Sequence, residues 1–468
     1  MSQRTTHPYM ANSTDAAHER MLAAVGVSDV EELFEQIPAD HYGTQGTTLP
    51  DGIVAEAELE RHIDSILRLN GNTRNQLSFL GAGSWQHHVP AVCDEIAGRS
   101  EFLTSVWGTP SSDHGRNQAW FEFSSQLGEL LDLEFVGLPV YSWGSAGGNA
   151  LRMAARLTGR NRVIVTAAID PERRAVIESY CGQQGSARAL EIIDLSYDAA
   201  TGQVDLDDLA VKLDDSVAAV YIDTPNYLGV FEAHAAKITE LAHAVGAEMI
   251  VGTDPLSLGI VASPASYGAD IVIGSTQPLG VPLNAGGGVG GFIATRDEER
   301  YAREFPTLQV SITDTLVPGE RAFGLTLFGQ NSYGSREEAN DWTGNSVYLW
   351  VIRNAVYMAL MGPAGFAEIG ATIISNAHEA AKRISAIDGV KVRFDTGYFK
   401  EFIIDFTGTG LTVSEINRKL LADGIFGGKD LSVDFSDLGQ SALYCVTEVH
   451  SESDIDRLTS SLRKAVQR

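Results

Sequence analysis

The sequence predicts an α/β protein with a large, doubly wound and mostly parallel sheet, followed by a smaller C-terminal α+β domain. From about residue 76, short apolar strands alternate with helical segments, which is typical of parallel strands joined by crossover helices. Beyond residue 345 two helices precede strands that alternate with further helices. We therefore predict a helical N-terminal segment at 1–75, the large α/β domain at 76–345 and the α+β domain at 346–468.

The individual elements follow from apolar periodicity and from the residues that begin or end helices. Strands of the large domain are predicted at 162–168, 189–195, 217–223, 248–252 and 271–274, with crossover helices at 170–182 and 233–245. In the N-terminal segment, helices are predicted from Ser13 or Thr14 to Gly26, at 29–36 and at 55–69. The smaller domain has predicted strands at 390–394, 401–406 and 442–446.

Composition limits the classes of partner. The 468 residues include 61 acidic and 34 basic side chains, a formal charge of −27, which repels phosphate backbones and anionic membranes. The three cysteines have no metal-ligand spacing, and the start of the chain lacks the apolar core of a signal peptide. We predict a cytoplasmic protein with neither a nucleic-acid nor a membrane partner.

A glycine-rich segment, SWGSAGGNA at residues 142–150, runs into a predicted helix. One interpretation is a tight turn that needs positive φ angles. The other is a phosphate cradle, in which backbone amides and the positive end of the helix face an anion. On the second interpretation Ser145, Gly147 and Asn149 are candidate cofactor-binding residues.

Asp254 follows the strand predicted at 248–252. Enzymes of the aspartate aminotransferase type place there the carboxylate that holds the ring nitrogen of pyridoxal phosphate. The alternative is a turn-capping aspartate before Pro255.

The segment 268–277 resembles the strand and turn that deliver the Schiff-base lysine in that fold. The expected place of the lysine is taken by Gln277, and glutamine cannot form an imine with the cofactor aldehyde. No lysine occurs between Lys237 and Lys382, so we expect that no nearby residue substitutes.

Several ordered motifs resemble the first subunit of the split glycine decarboxylase. They include FLGAGSWQHHVP at 79–90, TPNYLGV at 224–230, DPLSLG at 254–259, QPLGVPL at 277–283 and RAFGLTL at 321–327. The resemblance extends from Met21 to Gly362, which is most of the chain.

The resemblance implies an aspartate aminotransferase-like fold, fold type I of the pyridoxal-phosphate enzymes, in a pair of homologous subunits. Only the second subunit keeps the lysine, so pyridoxal phosphate is expected as an imine in that partner and not covalently on this chain. The pair forms a heterodimer or a heterotetramer. It decarboxylates glycine and passes the aminomethyl group to a lipoyl arm on a carrier protein, while the first subunit lines the site from across the interface.

The candidate helpers have structural alternatives. His87 and His88 either transfer protons or bind an anion, or they are structural histidines. Arg321 pairs with a substrate carboxylate or forms an interface salt bridge. Four further residues are predicted near the substrate, where packing is the alternative for the aromatic ones: Ser84, Trp85, Trp107 and Asn226.

Three segments depart from the family pattern: VWGTPSS at 106–112, GQNSYGS at 329–335 and NDWTG at 340–344. They leave room for divergence to another amino-acid substrate. A different class of function is a non-catalytic scaffold or regulatory subunit for a lysine-bearing homologue. A third is an enzyme that binds another ligand in the old cofactor cleft without an imine.

Overall fold

A computed structural model describes residues 6–41, 50–102, 114–182, 189–326, 340, 343 and 347–467. The chain forms two compact units, 1–71 and 72–468. The first contains the helices α1 (Asp15–Val25) and α2 (Glu56–Leu67). The helix predicted to end at Gly26 is confirmed, since Gly26 has a φ of 86°. The helix predicted at 29–36 is wrong, because only a 3-10 turn forms there, at Glu31–Phe34.

The second unit contains the regions predicted as the large α/β domain and as the smaller α+β domain. Its described helices are α3 (Ala91–Ala97), α4 (His114–Leu131), α5 (Trp143–Thr158), α6 (Pro171–Cys181), α7 (Leu206–Lys212), α8 (Ala235–Ala244), α9 (Glu299–Ala302), α10 (Trp350–Ser385), α11 (Val413–Ala422) and α12 (Glu452–Val466). Its described strands are β1 (Leu77–Ser78), β2 (Phe135–Val136), β3 (Arg162–Thr166), β4 (Glu191–Leu195), β5 (Val217–Asp223), β6 (Glu248–Gly252), β7 (Ile271–Ser275), β8 (Gly291–Thr295), β9 (Gln309–Asp314), β10 (Arg321–Thr326), β11 (Lys391–Val392), β12 (Glu401–Asp405), β13 (Ile425–Phe426), β14 (Lys429–Asp430) and β15 (Ser441–Cys445).

The large sheet has seven strands in the order β2-β8-β7-β6-β5-β3-β4. Strands β3 to β7 pair in parallel, whereas β8 is antiparallel to β7 and β2 is antiparallel to β8. Every residue of β5, β6 and β7 is buried, as expected for strands covered by helices on both faces. The predicted large, mostly parallel sheet is therefore present.

The smaller sheet is antiparallel, in the order β11-β12-β15-β14. It is preceded by α10, which changes direction at Gly362, where φ is 56°, next to Pro363. Helix α10 has the length and apolar composition to cross a membrane. It nevertheless carries buried polar contacts, since the Asn354 side chain donates to the carbonyls of Thr276 at 3.1 Å and Leu279 at 2.7 Å. These contacts fix the first part of α10 in the protein interior.

The glycine-rich segment is helical and not a tight turn, which corrects one of its two interpretations. Helix α5 begins at Trp143, and a capping box between Ser142 and Ser145 satisfies its first amides. Its glycines permit close packing on α6: a Cβ atom at Gly148 would lie 2.6 Å from the Cβ of Tyr180. The glycines therefore set the distance between two helices.

We expect Gly148→Ala to lower the thermal unfolding midpoint, because the added methyl group collides with an atom close to the backbone. Overpacking of this kind costs about 1–3 kcal/mol. Gly115→Ala in α4 is the matched control, because a Cβ atom there meets nothing within 4 Å. Equal midpoints for the two variants in differential scanning calorimetry would contradict the proposed packing.

Candidate functional site

The candidate site lies where β5 and β6 end, at the carboxyl edge of the parallel sheet. Asp223 is the last residue of β5 and pairs in register with Gly252 at the end of β6. Asp254 follows two residues later and is 2% exposed. One oxygen of Asp254 accepts a hydrogen bond from the Leu256 amide at 3.0 Å, so the predicted turn-capping role is observed. The other oxygen faces the cleft.

That second oxygen forms an ion pair with Lys400. Lys400 lies directly before β12 of the smaller sheet, and its side chain is 3% exposed. Its ammonium nitrogen also lies 3.5 Å from the centre of the Trp85 ring, a cation–π contact. A lysine from outside the lysine-free stretch therefore reaches this site from the other sheet. That no residue substitutes for the imine-forming lysine stays a prediction.

His87 continues this network. Its Nε2 is 3.2 Å from Lys400 Nζ, and its Nδ1 is 2.8 Å from Glu448 Oε2. Because an ammonium can only donate, Nε2 must accept and the ring proton must be on Nδ1, donated to Glu448. The other oxygen of Glu448 accepts from the His88 amide at 2.7 Å. Burial favours a higher pKa for Glu448, but these hydrogen bonds outweigh it and lower its pKa to about 2.

Gln277 also binds the segment that carries His87 and His88, through the backbone of Trp85. Its amide nitrogen donates to the carbonyls of Trp85 at 2.9 Å and Val281 at 3.1 Å. Its amide oxygen accepts from the Trp85 backbone N–H at 3.2 Å. The Gln277 side chain, at the predicted place of the Schiff-base lysine, thus joins the backbone at Trp85 to the backbone at Val281.

A second buried ion pair lies beside the first. Arg173, near the start of α6, contacts Asp223 at 2.5 Å, and its guanidinium lies 3.6 Å from the centre of the Trp143 ring. Tyr221 donates to the same carboxylate at 2.7 Å. Burial opposes the charged form of Arg173, but Asp223 and Tyr221 outweigh it and raise its pKa above the ordinary value.

Little space remains between these groups. A cavity of about 20 Å³ lies between these groups. It is lined by Trp85, Trp143, Arg173, Asp254 and Lys400. That is room for about one water molecule. The carboxylate predicted to hold the ring nitrogen of pyridoxal phosphate is already paired, and Gln277, at the predicted place of the lysine, has no amine. The residues present therefore do not fit that group.

The predicted phosphate-binding residues lie inside α5. Ser145 Oγ donates to the Ser142 carbonyl at 2.8 Å, and the Asn149 amide donates to the Ser145 carbonyl at 2.8 Å. Gly147 packs against Ile177, which lies 3.0 Å from the position of an added Cβ atom. A cavity of about 340 Å³ lies beside the start of α5, lined in part by Ser84 and Ser142. Phosphate binding by these residues stays a prediction.

The remaining predicted site residues are scattered. Asn226 borders the small cavity, but its amide oxygen accepts from the amides of Leu228 and Val230. Arg321 begins β10, 66% exposed and 3.9 Å from Asp314 in the paired strand β9. His88 is exposed. Trp107 lies outside the described residues, as do 106–112, 329–335 and most of 340–344. The catalytic and substrate-proximal roles of these residues stay predictions.

Five charged residues of the site were not predicted from the sequence: Arg173, Asp223, Lys400, Glu401 and Glu448. The pair Lys400 and Glu401 interrupts a run of aromatic and apolar residues from 398 to 404, and this was an available signal, because buried charges need partners. Glu401 accepts from the Ala82 amide at 2.6 Å, and burial raises its pKa. Arg173 and Glu448 had no comparable local signal.

Comparisons with known proteins identify the family to which the chain is similar. A family model described as glycine cleavage system P-protein matches residues 8–462. A probable glycine dehydrogenase (decarboxylating) subunit 1 from Staphylothermus marinus is 34% identical over 464 residues, 98% of each chain. The counterpart from Saccharolobus solfataricus is 35% identical over 464 residues, again 98% of each chain.

Solved structures give the same result. Glycine decarboxylase (P-protein) of the glycine cleavage system, in inhibitor-bound form, has a TM-score of 0.86 at 29% identity and covers 98% of this chain and 100% of its own. Sphingosine-1-phosphate lyase from Burkholderia pseudomallei has a TM-score of 0.64 at 16% identity, covers 92% of this chain and 94% of its own, and is alike in fold alone. The resemblance seen in the sequence and fold type I of the pyridoxal-phosphate enzymes are confirmed.

We expect Glu448→Gln to lower the thermal unfolding midpoint at pH 7, by the equivalent of about 1–3 kcal/mol, because it weakens the hydrogen bonds from His87 and His88. The folded-state pKa of about 2 lies below the ordinary 4.5, so the stabilisation is present above about pH 4.5 and is lost as pH falls towards 2. The midpoint difference between wild type and variant, measured from pH 7 down to pH 3.5, should shrink on acidification. A difference that grows, or one no larger than that of the exposed control Glu95→Gln, would contradict this assignment.

Proposed function

This chain belongs to the glycine cleavage system P-protein family, and we propose that it is the lysine-lacking subunit of a two-subunit glycine decarboxylase. On this proposal, pyridoxal phosphate is held as an imine by a homologous, lysine-bearing partner. The observation that carries the proposal is Gln277, which stands in the place of the lysine and commits its amide to Trp85 and Val281. This chain then acts only together with the partner.

The relatives named subunit 1 imply an enzyme of two kinds of subunit. We propose that the second kind pairs with this chain in a heterodimer or heterotetramer in the cytoplasm. We also propose that the aminomethyl group from glycine passes to a lipoyl arm on a carrier protein. The scaffold alternative is not favoured, because the relatives are named as subunits of the enzyme.

The candidate helpers divide by exposure. The side chains of His88 and Arg321 are exposed, so they are available to a partner. The His87 side chain is 2% exposed, and both of its ring nitrogens are hydrogen-bonded within this chain, to Glu448 and to Lys400. We propose that Arg321 and His88 act across the interface, and that His87 is a positioning residue for the segment that carries His88.

The purified chain should show no visible absorption band from a cofactor–lysine imine and no exchange of the glycine carboxyl group with labelled bicarbonate. Co-expression with the lysine-bearing homologue should produce both, because the imine-forming amine is supplied by the partner. A strong band in the isolated chain that borohydride reduces onto one of its own lysines would overturn the proposal.

Arg321→Ala should lower the exchange rate of the complex by about tenfold, the effect of losing one charge-assisted hydrogen bond of about 1.5 kcal/mol. Complex formation, measured by analytical ultracentrifugation, should be unchanged. The matched control is Arg418→Ala, an exposed arginine in α11. Weakened assembly with a normal rate per assembled complex would favour the interface salt bridge and contradict the role near the substrate.

A further inference from the structure

Two buried carboxylates at neighbouring strand ends are each paired with a cation, and each cation lies over an indole ring. One unit is Asp254, Lys400 and Trp85, and the other is Asp223, Arg173 and Trp143. We infer that Lys400 and Arg173 are internal cations that occupy the cofactor cleft of this subunit beside Asp254 and Asp223, so that the cleft is an ionic support and takes no cofactor. The inference rests on the proposed function, because it takes this cleft to correspond to the one that holds pyridoxal phosphate in a lysine-bearing homologue.

The need for a cation follows from Asp254. In fold type I the carboxylate at this place faces the protonated ring nitrogen of the cofactor. When the cofactor is lost, a carboxylate that remains 2% exposed is left with an unpaired charge, which is strongly unfavourable. The Lys400 ammonium restores the missing positive charge at the same oxygen atom that faces the cleft.

Two further groups, the Trp85 ring and the His87 imidazole, contact the Lys400 ammonium. The Trp85 ring lies against its ammonium at 3.5 Å, and His87 Nε2 accepts from it at 3.2 Å. Glu401, the next residue in the chain, is fixed by the Ala82 amide. An ammonium with this many fixed partners is part of the folded core, and it is not free to capture an aldehyde.

Arg173 closes the other side of the cleft. Its guanidinium covers the Trp143 ring, and the centres of the Trp143 and Trp85 rings are 6.2 Å apart. Two indoles and two cations thus share the space beside Asp254, where about one water molecule fits. Trp143 and Arg173 also line the cavity of about 340 Å³ beside the start of α5.

The first test is chemical rescue of Lys400→Ala in the full chain. Removing the lysine side chain leaves Asp254 unpaired beside a new cavity, so the thermal midpoint should fall by about 5 °C or more. Propylammonium at millimolar concentration matches the three carbons and the nitrogen removed beyond Cβ and should restore part of the loss, because a ligand that binds only the folded state raises its stability. Propanol, which has no charge, should restore much less.

The matched control is Lys391→Ala, an exposed lysine of β11 in the same sheet, which should lose little stability and gain nothing from propylammonium. If Lys400→Ala proves too unstable to purify, the double variant Lys400→Met with Asp254→Asn keeps the test open. It removes both charges and should fold, with a midpoint well above that of either single variant. A double variant no more stable than the single variants, or equal rescue by propanol, would overturn the inference.

The second test is cofactor stoichiometry. Equilibrium dialysis of the full chain against pyridoxal phosphate should reveal no saturable site. Saturable binding of one molecule per chain that Asp254→Asn abolishes would overturn the inference. Both tests use this chain without a turnover assay, so a complex inactive on glycine would defeat the proposed function while leaving the rescue result standing.

Discussion

A buried carboxylate that must be paired governs the centre of this molecule. Asp254 serves the fold through one oxygen, which caps the turn after β6, so the residue is useful whether or not a ligand is present. Its other oxygen lies in a cleft from which water is almost excluded, and there an isolated charge is expensive. Lys400 meets this constraint, and the arrangement of the loops around the cleft depends on that ion pair.

The segment 79–90 is the clearest case of this dependence. Gln277 holds its backbone at Trp85, and Glu448 holds it at His87 and His88. Lys400 contacts the side chains of Trp85 and His87 in the same segment. A buried ion pair adds little stability compared with well-packed apolar groups, but breaking one is costly, so such a network specifies one arrangement of the segment. The histidines that resemble family residues are therefore presented in a fixed position even without a cofactor in this chain.

The same geometry distinguishes the two kinds of subunit in chemical terms. Capture of an aldehyde requires a free amine at the end of β7, and this chain has there an amide that holds two loops together. The amine it does have in the cleft sits beside the carboxylate for the ring nitrogen, where a cation is needed and an imine is not. The amide of Gln277 after β7 and the ammonium of Lys400 beside Asp254 are thus consistent with each other.

Local patterns in the sequence were sufficient for the fold class, for the parallel strands of the large sheet and for the recognition of the family. Apolar alternation, helix caps and ordered motifs each involve residues close together in the chain. They also place Gln277 two residues after β7, where the family resemblance puts the Schiff-base lysine. The hairpin of β9 and β10 and the helical form of the glycine-rich segment were not predicted, because both depend on packing against distant elements.

What the tertiary structure alone decided is which charges meet. His87 is 313 residues from Lys400 and 361 residues from Glu448, and no local pattern encodes such pairings. They arise because the smaller sheet lies against the carboxyl edge of the large one. The sequence by itself determined that a glutamine stands at the predicted place of the imine-forming amine, whereas only the folded chain revealed that the Lys400 amine lies in the same cleft, since that depends on how two sheets pack.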